Sequence, residues 1–389
     1  MSGAEHDIVL FGATGFTGAL TAEYLAGHAP AGTRIALAGR RRDKLEAIRA
    51  KLKGSHADAP LLEADVDDRA SMRAVAESAR VVISTVGPYI LYGEPLVAAC
   101  AAAGTDYVDL TGEPEFVDLM WLRYHEEAEK TGARLVHCCG FDSIPHDLGA
   151  FFTVQQLPED APLRVNGFVK TNGSFSGGTY QTAINAFARA RQAARTAGER
   201  RRREPRPADR RVKGIAGRPH RDAVAGGWVM PLPTIDPQIV LRSARTLSRY
   251  GPDFGYGHYL VQKRLSTLAA LAGGAGAAVA LAQVPPARKL LLSRHSPGEG
   301  PTPEQRARSW FRVRFVGEGG GERVVTEVSG GDPGYGETAK MLSESALCLA
   351  HDDLPALSGQ LTTAVAMGQP LLERLERAGI KFQRLPEDQ

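Results

Sequence analysis

The chain has 389 residues, 43% hydrophobic and 23% charged, with a formal net charge of +3. This composition excludes a disordered chain, a collagen-like chain and a simple membrane bundle, and the small net charge argues against a nucleic-acid partner. The length predicts two or three domains with a large buried core.

Residues 1–140 alternate short apolar runs with helical patterns. Strands are predicted at 7–11 (DIVLF), 34–38 (RIALA), 61–64, 81–84 (VVIS), 107–110 and 134–137. Helices are predicted at 15–27, 41–52, 68–78, 94–103 and 115–130. Strand–helix units of this length need crossover connections, and crossovers give a parallel sheet. Beyond Gly140 the rhythm changes. A strand is predicted at 163–170 and a helix at 179–194; strands at 310–316 and 323–329 are joined by GEGGG, and helices follow at 336–350 and 369–378. Phe311, Val313 and Phe315 alternate with Arg312 and Arg314, the pattern of a half-buried strand.

Four cysteines (100, 138, 139 and 348) show no metal-binding spacing, so no metal is expected and free thiols in a reducing cytoplasm are the simplest reading. The N-terminal MSGAEHDIVLF does not read as a signal peptide. Cys138 and Cys139 end an apolar strand without an obvious base, which fits buried thiols better than a nucleophile.

The strongest motif is GATGFTG (Gly12, Ala13, Thr14, Gly15, Phe16, Thr17, Gly18), directly after the first strand. Glycines at this turn let the backbone approach a pyrophosphate, and the helix that follows points free N–H groups and its positive end at the charge. A dinucleotide is therefore expected here. Where an acid would bind the ribose hydroxyls of NAD, the second strand ends in Arg40 and Arg41. Guanidinium groups suit a 2′-phosphate, so the expected cofactor is NADP(H). Asp65, ending the third strand, is expected beside the adenine. Thr85, Gly87, Pro88 and Tyr89 follow the fourth strand and are expected beside the nicotinamide.

GATGFTG, LAGRRRDKL, STVGPY, YGEPLVAACAAAGTDYVDLTGE and CGFDSIPHDLG together resemble the saccharopine dehydrogenase-like oxidoreductase family. SGGT at 176–179, GGDPGYGETAKMLSESALCLA and LTTAVAMGQPLLERLERAGIKF resemble its actinobacterial branch, which includes trans-acting enoyl reductases. The resemblance covers nearly the whole chain. It implies an α/β fold: a Rossmann-type parallel-sheet domain at 1–145 with 334–389 packing back on it. A second, mixed α/β substrate or dimerisation domain follows at 146–333. It implies NADPH-dependent reduction of an enoyl chain carried by a polyketide synthase, and an association with membranes or lipid bodies. Two other readings stay open: a non-catalytic NADP(H)-binding protein at membranes or lipid bodies, and a saccharopine-type amino-acid reductase.

Enoyl reduction needs a hydride at Cβ, a proton at Cα and polarisation of the thioester carbonyl. Tyr89 is the first candidate acid by position. Asp142 and His146, in GFDSIPHDLG, are the next. Asp142 reads equally as a helix cap, and a lone histidine is often structural. Tyr180 is a weaker alternative. Tyr259 and Lys263 fit the YxxxK of short-chain dehydrogenases but lie outside the strand–helix series that would position them.

Residues 189–221 carry 13 Lys/Arg against three Asp/Glu, including the run Arg200 to Arg203. Pro205, Pro207 and Pro219 argue against a continuous helix there. The segment reads as a solvated loop or as a docking surface for an acidic partner, such as an acyl carrier domain or anionic headgroups. Residues 265–287 contain no charge but many Ala and Gly. A bilayer span, peripheral lipid contact, and a buried or homodimer-contact helix are the alternatives. The expected location is the cytoplasm, with possible peripheral contact at the inner face of the plasma membrane.

Overall fold

The computed structural model describes residues 3–173, 184, 188–284, 286 and 300–386. The first half runs β1 (His6–Phe11), α1 (Phe16–His28), β2 (Ile35–Gly39), α2 (Arg42–Arg49), β3 (Leu61–Glu63), α3 (Arg69–Ser78) and β4 (Ala79–Ser84). It continues with a one-turn α4 (Tyr89–Tyr92), α5 (Glu94–Ala103), β5 (Asp106–Asp109), α6 (Pro114–Thr131) and β6 (Arg134–Val136). Then come α7 (Ile144–Val154), β7 (Leu163–Thr171), α8 (Ala190–Arg203), β8 (Arg211–Gly214), β9 (His220–Asp222), β10 (Gly227–Pro231), α9 (Asp236–Thr246) and β11 (Asp253–Gln262). The last part holds α10 (Leu265–Ala282), α11 (Pro303–Arg308), β12 (Phe311–Gly319), β13 (Glu322–Gly330) and α12 (Gly336–His351). It ends with β14 (Gly359–Leu361), α13 (Thr363–Ala366), α14 (Gly368–Arg377) and β15 (Lys381–Leu385).

The first sheet has the order β14-β6-β5-β4-β1-β2-β3 and every pairing is parallel. Its central strands are buried on both faces, as parallel strands must be when helices cover each side. In β1, Ile8 and Leu10 join one core, with Leu37, Ile83, Met341 and Leu342. Val9 and Phe11 join the other, with Met72, Val75, Leu96 and Val97. Each such side chain contributes about 1.5–3 kcal/mol relative to exposure. The order reverses between β1 and β4, which makes the carboxyl ends of these strands the switch point of the sheet.

The second sheet runs β15-β13-β12-β7-β11-β10-β9, with β8 beside the first half of β11. It is mixed: β7 and β8 lie parallel to β11, while the other pairings are antiparallel. The hairpin expected from GEGGG is β12–β13, and Phe311, Val313 and Phe315 are buried under α7 as their alternation requires.

Three expectations change. The helix placed at 179–194 is met, among the described residues, by the helical Ile184 and Ala188 and by α8, which runs from Ala190 on to Arg203; SGGT at 176–179 and Tyr180 lie outside the described residues. The arginine run is the last helical turn rather than a solvated loop. Cations there face the helix's negative end, and Glu199 and Glu204 pair with Arg203 and Arg200 at one-turn spacing. The C-terminal region does return to the first sheet: α12 packs on β4 and α1, and β14 is the seventh strand. Its last segment, however, crosses to the second sheet as β15.

The uncharged stretch is the helix α10. Among its described residues only Leu268 and Ala282 are buried, so the buried-core alternative fails. It is long and apolar enough to cross a membrane by length and composition.

Candidate active site

The register of the first sheet sets the cofactor cradle. Phe11 lies beside Ala38 on one side and Ser84 on the other, so the loops that follow β1, β2 and β4 emerge together. Gly12 has φ +89°, and a Cβ there would stand 2.6 Å from Thr85 Oγ1. A Cβ on Gly18 would collide with the Gly12 carbonyl oxygen, so only glycine lets α1 start this close to β1. Ala13 is buried, Thr14, Phe16 and Thr17 are half-buried, and Gly15 is exposed as the N-cap. No side chain caps α1, which leaves its first amides for an anion. The Phe16 ring is held edge-on by Tyr335 at 4.7 Å, with the Arg306 guanidinium 5.6 Å above it.

Arg40 and Arg41 are both exposed at the end of β2. Arg41 is forked onto the Asp43 carboxylate at 2.6 and 3.1 Å. Arg40 has no such clamp among the described residues and is the better placed of the two to receive a 2′-phosphate. Asp65 is half-buried just past β3, and its carboxylate accepts the Asp67 amide at 3.1 Å. Thr85 donates to the Gly12 carbonyl at 3.0 Å, which ties the β4 loop to the phosphate loop. Gly87 is exposed and Pro88 half-buried, joined by a cis peptide bond.

The structure gives Tyr89 a different task from the acid expected of it. It is 4% exposed, and its hydroxyl donates to the Ser84 carbonyl at 2.9 Å and accepts the Leu110 amide at 3.4 Å. Burial pushes the phenol well above its ordinary range. Its proton is committed to a backbone carbonyl inside the first domain, so Tyr89 braces the β4 and β5 loops. Glu113 completes the brace by accepting the Tyr89 and Ile90 amides at 2.8 and 2.9 Å.

Asp142 and His146 both follow β6, Asp142 in the loop before α7 and His146 in the first turn of that helix. A Cβ on Gly112 would lie 2.8 Å from Asp142 Oδ2, so that glycine makes room for the carboxylate over the β5 loop. Asp142 is not the helix cap. Ser143 holds that position and no side chain caps α7. Burial, and then the charge of Asp236, push the Asp142 carboxyl up to about 6. His146 is 2% exposed, with Nδ1 at 2.8 Å from Asp236 Oδ1.

Sequence reasoning missed Asp236, His258 and Tyr256. His258 Nε2 is 3.5 Å from Asp236 Oδ2, and the Tyr256 hydroxyl is 3.3 Å from His258 Nδ1. Thr234 also donates to Asp236. Burial alone would raise Asp236, but His146 first, then His258 and Thr234, hold it below its ordinary value. Burial pushes His258 down to about 4, against the pull of Asp236. The ligand-type atoms of His146, Asp236 and His258 lie within 4.8 Å of one another. These residues sit on different elements of the second domain, so no local spacing announces them.

Tyr259 and Lys263 are not a catalytic pair. Tyr259 is buried on β11, stacked on Phe168 at 5.5 Å, and Lys263 is exposed just past that strand. Four residues of strand span about 13 Å, whereas the YxxxK chemistry needs one helical turn. The thiols of Cys138 and Cys139 are fully buried, and burial raises both well above their ordinary range, which makes them inert.

Residues 8–136 match the family Saccharopine dehydrogenase NADP binding domain. A candidate trans-acting enoyl reductase of Mycobacterium tuberculosis is 38% identical over 414 residues, covering 97% of both chains. The chain belongs to the saccharopine dehydrogenase-like family, in its trans-acting enoyl reductase branch. A trans-acting enoyl reductase of Mycobacterium ulcerans is 36% identical over 405 residues, again covering 97% of both chains. Among solved structures, apo saccharopine dehydrogenase (L-Glu forming) from Saccharomyces cerevisiae shares the fold, with a TM-score of 0.56 at 13% identity. The match covers 98% of this chain and 100% of that one. The chain is thus an NADP(H)-dependent oxidoreductase. The uncapped α1, the glycines that admit a pyrophosphate and the exposed Arg40 fit that cofactor.

Proposed function

We propose that the chain reduces the α,β double bond of an enoyl thioester carried by a separate synthase. The observation that carries this reading is the pairing, at the carboxyl ends of neighbouring strands of one sheet, of a phosphate cradle at β1, β2 and β4 with a carboxyl at about 6 over the β5 loop. NADPH, when bound, supplies the hydride for Cβ. Asp142 gives its proton to Cα, where the electron pair of the double bond collects. A carboxyl near 6 keeps a useful protonated fraction at neutral pH while remaining acidic enough to give the proton up. The names of the mycobacterial relatives support the substrate class.

Two surfaces support a carrier-borne, lipid-type substrate. Arg191, Arg195 and Arg202 lie along one exposed stripe of α8, opposite the buried Thr196 and Arg200, and suit an acidic carrier domain. On α10, Leu265, Leu271, Val279 and Leu281 are 39–47% exposed, which suits peripheral contact with a membrane. The test is NADPH oxidation with a panel of enoyl thioesters, free and carrier-bound. Turnover is expected, with a loss on the order of a hundredfold in Asp142→Asn. Turnover with saccharopine-like secondary amines instead would replace this reading.

A further inference from the structure

We propose that His146, Asp236 and His258 bind one divalent cation of the zinc type, which fastens α7, α9 and β11 to one another. The inference stands apart from the reductase reading. His146 lies in the first turn of α7, Asp236 begins α9, and His258 lies on β11. The three are 2%, 3% and 6% exposed, and one ligand-type atom of each lies within 4.8 Å of those of the other two. His146 Nδ1 is 2.8 Å from Asp236 Oδ1, and His258 Nε2 is 3.5 Å from Asp236 Oδ2. Two donors each about 2.0–2.1 Å from one zinc ion, at tetrahedral angles, stand about 3.3 Å apart. The two approaches bracket that spacing. Each donor comes from a helix or a strand, so the constellation is held before any ion arrives.

A cluster held by its own hydrogen bonds would have these atoms paired, and they are not. His146 Nδ1 and Nε2, Asp236 Oδ1 and His258 Nε2 are all buried without a hydrogen-bond partner among the described residues. Although His146 Nδ1 and Asp236 Oδ1 are close, an N–H on that nitrogen would not aim at the oxygen. Buried polar atoms left unpaired are costly, and a single cation would satisfy one atom of each residue at once. The atoms that do have partners are the ones such an ion would not need. The Tyr256 hydroxyl meets His258 Nδ1 at 3.3 Å, which leaves Nε2 for the ion. The Thr234 hydroxyl donates to Asp236 Oδ2 and leaves Oδ1. Outer contacts of this kind orient the ligands of metal sites. Two imidazoles and one carboxylate suit zinc and its first-row neighbours, whereas magnesium and calcium take oxygen donors. Three protein ligands leave a fourth position of a tetrahedral ion for water or another oxygen ligand.

Metal analysis of the tag-free chain, dialysed against zinc chloride and then against buffer, should find one zinc per chain. Cobalt in its place should give the intense visible bands of a four-coordinate site. Zinc should raise the melting temperature of the metal-stripped chain, and EDTA should reverse the rise. Asp236→Asn and His258→Gln should each lose the zinc, the cobalt bands and the melting response. Thr234→Val, at an exposed position, keeps all three ligands and covers the case in which neither ligand variant folds. Its zinc affinity, by equilibrium dialysis, should fall about tenfold or more. A further readout needs no variant: in nitrogen NMR of labelled histidine, zinc should move the signals of two histidines and leave the others in place. A wild-type chain that retains no zinc, zinc kept in full by both ligand variants, or histidine signals that zinc does not move would each overturn the site. Where neither ligand variant folds, so would an unchanged zinc affinity in Thr234→Val. A retained ion that leaves the melting temperature unchanged would overturn the fastening of α7, α9 and β11.

Discussion

Asp142 carries a cost that can be measured in the fold itself. Its carboxyl rises from 3.8 to about 6 on folding, chiefly through burial. The folded chain therefore holds this proton more tightly than the unfolded chain. The penalty is absent below pH ~4, grows between ~4 and ~6, and stands in full above that. Asp142→Asn should stabilise the protein by about 1 kcal/mol at pH ~7.5, after allowance for partial exposure, and by nothing at pH ~3.5. Denaturant midpoints at the two pH values check this. Tyr89→Phe should do the reverse. It loses the bond to the Ser84 carbonyl, costing about 1 kcal/mol of stability, while kcat stays near wild type. The two residues also mark the limit of reading a site from sequence. Both follow strands of the first sheet, so position alone puts both at its carboxyl end. Which way a side chain turns depends on its partners, and those of Tyr89 lie at Ser84 and Leu110, beyond any local pattern.

At the level of elements, the phosphate loop was legible because its constraint is local. Glycine spacing, a strand before and a helix after suffice to place it. Gly18→Ala should abolish NADPH binding in a fluorescence titration, since the new methyl would collide with the Gly12 carbonyl. Arg40→Ala should weaken NADPH about tenfold or more and leave NADH unchanged, because a charge-assisted bond to the 2′-phosphate is lost. Helix α8 was less legible. Its partner is α6, where Glu115 meets Arg189 and Asp118 meets Arg200 at 2.5 Å, 82 residues away in the chain. Arg200 is 3% exposed and lies over the Trp121 ring. Arg200→Ala should cost about 3–5 kcal/mol in denaturant unfolding, because Asp118 would be left buried without its cation.

For the molecule as a whole, six strands of the first sheet were readable and its last, β14, was not, while the second sheet was readable only in part. Strands β8 (RVKG) and β9 (HRD) show no alternation, and their pairing with β11 and β10 holds them in place. The exposed face of α10 gives the membrane proposal its measurement. Joint Leu271→Asp and Leu281→Asp substitutions should reduce co-sedimentation with anionic vesicles and leave turnover of a soluble thioester unchanged.

The strands β14 and β15 are the outermost strands of the two sheets, one beside β6 and the other beside β13. Both follow every other strand in the chain. A nascent polypeptide therefore emerges with its nucleotide half already spelled out but its sheet margin still bare, and with α12 not yet laid over β4. Bare margins recruit other strands. Synthesis of these two short segments thus completes both sheets, and a product cut short before residue 359 should leave the longer β13 and the buried β6 without their last partners and should aggregate.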